Sequence, residues 1–161
     1  MRFRLVMILL VFLTACATAK MVGPGGATLK THTDKTLRMQ IPVPEGWTVQ
    51  WRNEPVRSLH IQEESGDSRI VVYVNPQAIS ARQVYEEILK DRKYQDAAAL
   101  QGIVDERPAL GLRKTKHGMT ATAFVIDHDN GVYVMVMLAD DAADQELMDF
   151  IFARVRFTGS P

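Results

Sequence analysis

Residues 132–138, "VYVMVML", are apolar at every position and follow directly on Asn130-Gly131. A strand with one wet face alternates apolar and polar residues, whereas a short run apolar at both parities reads as a strand buried on both faces. Asn-Gly suits the two positive-φ positions of a type I′ turn and so predicts a hairpin. Pairing outward from that turn sets Ile126 opposite Met135 and Phe124 opposite Met137, with Met119 to Asp129 as the partner strand. A sheet built around such a strand needs an apolar layer on each side, so the chain must contain elements that cover it.

Two predicted helices supply candidates. Ser80-Ala-Arg-Gln83 fits a capping box, in which the hydroxyl takes the Gln83 amide proton and the glutamine side chain reaches back. Val84, Ile88 and Leu89 follow at helical spacing, and the pattern runs to about Tyr94 or Ala98. The second helix runs from an Asp140 or Asp141 cap through Ala153. It turns Leu147, Met148, Ile151 and Phe152 inward and places acidic residues at its positive end.

The remaining elements read as strands. Leu37, Met39 and Ile41 alternate with polar residues, after which Pro42, Pro44 and Gly46 punctuate the chain. Trp47, Val49 and Trp51 alternate with Thr48, Gln50 and Arg52, which puts both tryptophans on one face. Leu59 with Ile61, and Ile70 to Val74, mark two more strands separated by a turn at 64–67. Residues 107–111, "RPALG", read as a loop or short edge element. Leu112 to Lys116 then forms a strand that turns at His117-Gly118, and Val155 and Phe157 close the chain. The class is α+β: a mostly antiparallel sheet of about six to seven strands with helices packed on its faces, an α/β/α sandwich.

The N-terminus has a different character. Arg2 and Arg4 precede "LVMILLVFLTA", residues 5–15, whose only polar member is Thr14. This is a positive region followed by an apolar one ending in small residues, as in an export signal. A bilayer core about 30 Å thick needs roughly 20 apolar residues in a helix, so the run is short for a permanent span. Leu13-Thr14-Ala15-Cys16 resembles the lipobox of bacterial lipoproteins, in which the cysteine thiol is acylated and becomes the mature N-terminus. The resemblance implies a signal peptide over 1–15, lipidation of Cys16 with fatty acyl (palmitate-type) chains, and attachment to a membrane. Two or more acyl chains anchor stably where one does not. Ala17 stands where aspartate is the usual inner-membrane retention signal, which favours the outer membrane, facing the periplasm. Gly23-Pro-Gly-Gly26 and scattered threonines make residues 16–35 read as a flexible tether of roughly 25 Å mean span. The single α/β domain is then 36–158.

Loss of residues 1–15 leaves 17 basic against 19 acidic residues, so there is no basic excess for nucleic acid. The opening strand leading into "IPVPEGW", the long helix that starts on serine, the two hairpins and the last helix running into "FARVRF" resemble the PsbP-like fold. That fold is shared by photosystem extrinsic proteins and DcrB-type bacterial envelope lipoproteins. The resemblance covers about 36–158. It implies an accessory or assembly module of a membrane-bound system, with an envelope protein as partner and no catalytic residues to carry over.

The residues themselves offer little chemistry. His117 and His128 lie at opposite ends of one strand, about 3.3 Å per residue apart, and cannot share a metal ion. Asp127-His128-Asp129 is the one dense donor cluster, but alternation along a strand points His128 away from both aspartates. Ser58, Ser65, Ser68, Ser80 and Ser160 lack a nucleophile-elbow setting, and "GPGG" lacks the lysine and strand of a phosphate loop. Glu63-Glu64, Glu86-Glu87 and Asp140-Asp141 read as solvated pairs. The chain is therefore expected to be a non-enzyme without metal or cofactor, acting as a membrane-anchored binding or assembly module of the envelope. The alternative is a small-molecule or ion carrier using a pocket between sheet and helix, to which Trp47, Trp51, Tyr73 and Tyr133 could contribute. Mass spectrometry of the mature N-terminus should find Cys16 acylated, and Cys16→Ala should release the protein from the membrane fraction. An unmodified Cys16, or cleavage elsewhere, overturns the lipid assignment.

Overall fold

The computed structural model describes residues 20–158 apart from residue 79. The leader 1–15, Cys16 and Ser160 lie outside the described residues. The expected strand "VYVMVML" is β10 (Gly131–Ala139), the fourth of seven strands in the larger sheet. Its order is β4 (Trp47–Arg52), β5 (Ser58–Glu63), β6 (Arg69–Asn75), β10, β9 (Met119–His128), β8 (Arg107–Lys116) and β7 (Ala98–Val104), and every pairing is antiparallel. Most of β10 is covered on both faces, with Val136 and Leu138 only half-buried. Tyr133, Met135 and Met137 enter the main core with Met148 and Ile151 of α2 (Ala142–Phe152), while Val132 and Val134 pack under Ala81 and Val84 of α1 (Ala81–Lys90).

The layer beside α2 is a second sheet, so the single predicted sheet becomes two. It contains β1 (Met21–Val22), β2 (Thr28–Asp34), β3 (Met39–Pro44) and β11 (Arg156–Phe157), in that order. Residues 21–34, read above as tether, are thus part of the fold. Leu29 is completely buried among Met39, Ile41 and the apolar side of α2. One inward leucine in seven mostly polar residues, Thr28 to Asp34, gives a strand signal too weak to read beside the adjacent Gly-Pro-Gly-Gly. The prolines of β3 also find a structural place. Glu45 N donates to Thr28 O (2.8 Å), so the odd-numbered amides of β3 face β2. Pro42 and Pro44 turn their missing donors to the other side, where β11 reaches only as far as Gln40.

β7 and the first half of β8 replace the loop expected before residue 112. Their turn is Asp105-Glu106, both at positive φ (47° and 64°), and His117-Gly118 repeats the geometry between β8 and β9. The first turn has the form of a type I′ hairpin without its glycine, which is why the sequence conceals it. At Asn130-Gly131 the reverse occurs. The ladder pairs His128 with Gly131, so the loop is Asp129-Asn130, and Ile126 faces Tyr133 while Phe124 faces Met135, two residues from the predicted register. Gly131 (φ 131°) is a ladder residue packed against β6, where a Cβ would meet Asn75 O at 2.7 Å. A shift of two preserves which face each side chain takes.

The helix starts hold and the first helix ends early, at Lys90. Ser80 Oγ accepts from Gln83 N (3.2 Å) and Asp141 Oδ1 from Asp144 N (2.8 Å). A second tie on α1 comes from the sheet, because Asp127 Oδ1 accepts from Ala81 N at 2.6 Å. Leu29→Ala should cost about 2–5 kcal/mol in urea unfolding, the usual loss for a buried leucine. A change near zero would return residues 21–34 to the tether.

Candidate functional site

α1 has ten residues and is about 15 Å long, whereas the nine residues of β10 extend about 30 Å. The helix covers Tyr73, Val134 and Val125. Register places the next row of that face as His60, Val71, Val136, Ala123 and Leu112, running from β5 to β8. The row after it is Gln62, Arg69, Leu138, Ala121 and Lys114. Leu112 is buried, while Val71, Val136, Leu138, Ala121 and Ala123 are half-buried. An apolar strip therefore continues beyond the end of α1, half-buried and roofed in part by Tyr94 and Ala97.

Cations border this strip. Arg69 stands on one side, and Lys93, Lys114, Lys116 and His117 surround a hollow of about 440 Å³ on the other, floored by Met119 and Ala121. A smaller cavity of about 110 Å³ lies over Val136 and Leu138 beneath Tyr94 and Ala97. Lys114 Nζ donates to Lys93 O (2.7 Å) and has Asp96 at 3.9 Å as its acid neighbour. Asp96 is almost fully exposed, so this pair neutralises little of the rim. Chemically the arrangement offers apolar contact in the middle and positive charge at the margins.

The four aromatic candidates are not brought to one pocket. Trp47 and Trp51 face the main core from β4, Tyr133 is buried on that same side of the sheet, and Tyr73 lies on the opposite side under α1. Trp51 and Tyr133 do share a network. Trp51 Nε1 donates to Asp34 Oδ2 (3.0 Å), Leu37 N donates to Asp34 Oδ1 (2.8 Å), and Tyr133 Oη donates to Leu37 O. This network pins the β2–β3 loop onto the large sheet. Burial raises the pKa of both Tyr73 and Tyr133, keeping the phenols neutral. A groove of about 490 Å³ does lie between helix and sheet, but Arg82, Tyr85, Glu86 and Leu89 face Ala99, Gln101 and Leu110 across it, and none of the four aromatic candidates lines it.

The donor cluster at 127–129 disperses. Asp127 caps α1, His128 Nδ1 bonds Asn130 Oδ1 (2.8 Å) and packs on Phe157, and Asp129 is exposed. Among the described residues no group of three metal-ligating side chains converges. One pair escaped the sequence reading: Ser58 Oγ lies 2.9 Å from His60 Nε2, an i, i+2 pair on one strand face. Ser58 also donates to Val56 O (3.0 Å), which commits its proton and leaves its oxygen to accept from His60. That is the wrong direction for a histidine acting as general base on serine.

The layered architecture and the open face allow comparison with known proteins. No protein-family model and no curated protein matches the chain. Among solved structures it is similar to cyanobacterial PsbP (CyanoP) from Synechocystis sp. PCC 6803, with a TM-score of 0.60 and 13% identity, covering 90% of this chain and 98% of that one. The fold is PsbP-like. The chain is also similar to LpqN, described as involved in cell envelope biogenesis of Mycobacterium tuberculosis, at a TM-score of 0.41 and 16% identity over 75% of this chain and 83% of that one.

Burial, and then the charges of Arg52 and Arg69, hold the His60 pKa below the ordinary imidazole value. The unfolded chain, titrating near about pH 6.5, therefore takes up this proton first, and stability falls as pH drops below that value. His60→Gln should flatten the loss in urea midpoint between about pH 7.5 and about pH 5.5. An unchanged slope would show that His60 does not carry it.

Proposed function

We propose that this chain is a lipid-anchored, non-catalytic binding module of the bacterial envelope, which holds a partner protein on the part of its sheet that α1 leaves bare. The observation that carries the reading is the apolar strip of Val71, Val136 and Leu138 between Arg69 and the lysines at 93, 114 and 116. Its chemistry suits a partner segment with apolar residues in the middle and acidic ones at its edges, since complementary charge guides encounter and desolvated apolar contact supplies affinity. The export-type leader and lipobox-like "LTAC" support the placement. Only four residues separate Cys16 from β1, at most about 14 Å of extended chain. An acylated protein would therefore keep its domain close against the membrane, and the outer membrane is the one its Ala17 favours.

The alternative, a small-molecule or ion carrier, would use the groove between α1 and β7–β8. That groove is open and carries one cation and one anion at its rim, without several polar groups converging on one ligand. The binding module is the better supported reading.

A photo-crosslinking residue at position 138 of the full chain, in its native envelope, should yield a discrete protein adduct. The adduct should disappear when Lys114 and Lys116 are both changed to Glu, while the thermal midpoint stays within a few degrees. Labelling at 138 no stronger than at Glu87, on the exposed side of α1, would overturn the proposal.

A further inference from the structure

Sheet edges invite pairing, and folded proteins guard them with short strands, charges or proline. Among the described residues the two sheets have four edges, and three are guarded. β1 and β11 are two residues long. β4 ends at Arg52 between Pro44 and Pro55, and the Arg57 guanidinium lies 4.9 Å from the centre of its Trp51 ring. The fourth edge, β7, is "AALQGIV": seven residues without charge or proline, paired along their whole length with β8 and with no strand on the other side. Alternate residues of such a strand turn both N–H and C=O outward. Ile103 on this strand is 72% exposed, the largest exposure among the large apolar residues. Leu89, in the groove between α1 and β7, is 38% exposed.

From this edge we infer that β7 is a docking strand for a second copy of this chain, joined antiparallel so that one sheet runs through both copies. Two features select a second copy over an unrelated strand. First, β7 has no charged residue, so pairing with itself sets only uncharged side chains opposite one another, and like charges never meet across the ladder. Second, the rim of the neighbouring groove is self-complementary. Arg82 and Glu86, both exposed and joined at 3.0 Å within α1, present one charge of each sign. A twofold axis perpendicular to the sheet keeps both α1 helices on the same side of the joined sheet. Arg82 of one copy then approaches Glu86 of the other, and Leu89 and Ile103 of both copies leave water together. Anchoring to a membrane would strengthen such pairing by raising the local concentration. The surface is separate from the lysine-bordered strip, which remains open in the pair.

The test uses the full chain in membranes. Gln101→Cys and Ala99→Cys place thiols on β7, with the unsubstituted chain setting the background from Cys16 and Thr48→Cys marking the opposite edge. Mild oxidation should give a disulfide-linked species of twice the chain mass from at least one β7 variant, at several times the yield of either control. Adding Ile103→Lys, which places a charge at a solvent-exposed site, should remove that species. The same substitution should weaken self-association of the detergent-purified chain by at least about tenfold in sedimentation equilibrium, with its thermal midpoint unchanged. No dimer above the controls overturns the inference, as does a dimer indifferent to Ile103→Lys. A crosslinked adduct to a different protein overturns it in favour of a foreign strand. Changing Lys114 and Lys116 to Glu should leave the dimer intact, which separates this result from the fate of the partner-binding strip.

Discussion

Alternate side chains of β10 leave the strand in opposite directions, and both sets are apolar. Tyr133, Met135 and Met137 are sealed by α2 and the four-stranded sheet, and Val132 and Val134 by α1. A strand of this kind must be central, since its neighbours on both sides need enough breadth for two covering layers. The position of β10 between β6 and β9 satisfies that requirement, and the layer order follows: α1, the large sheet, then the small sheet with α2. Each ordinary apolar side chain buried there contributes about 1.5–3 kcal/mol relative to exposure.

The two covering layers are unequal, and the inequality leaves parts of the large sheet less covered. On the core side, the small sheet and α2 bury the middle of the face, and Asp34 ties Trp51 and the 35–38 loop into it. On the other side one short helix covers the row of Val134 and leaves the rows of Val136 and Leu138 half-exposed. The bare strip and the unguarded β7 edge are distinct consequences of the same economy of structure. The first has only Tyr94 and Ala97 above part of it, and the second lacks a strand beside it.

Sequence reasoning read the elements whose signals are local and missed those whose signals are not. The Ser80 and Asp141 caps, the paired tryptophans of β4 and the inward set of α2 depend on neighbours within four residues, and they stand as read. β2 escaped because Leu29 is its one fully buried apolar residue, and β7 because its turn, Asp105-Glu106, adopts positive φ without glycine. The hairpin at Asn130 was placed correctly but its register was two residues off, since contact with Asn75 on a third strand fixes the role of Gly131. The candidate site was legible only in pieces. Lys93, Lys114 and Lys116 are ordinary surface lysines in sequence, and register alone sets them beside Leu138 and Ala121.

By itself the sequence determined that a doubly buried strand lies at the centre of an α+β sandwich. Periodicity encodes which faces meet water, and that constraint acts residue by residue along the chain. Only the tertiary structure decided that residues 21–34 belong to a second sheet, that Trp51 and Tyr133 are joined through the β2–β3 loop while Tyr73 lies across the sheet, and that α1 stops short of covering the face. These outcomes depend on the lengths and packing of elements far apart in the chain, and such contacts leave no periodic trace in any one of them.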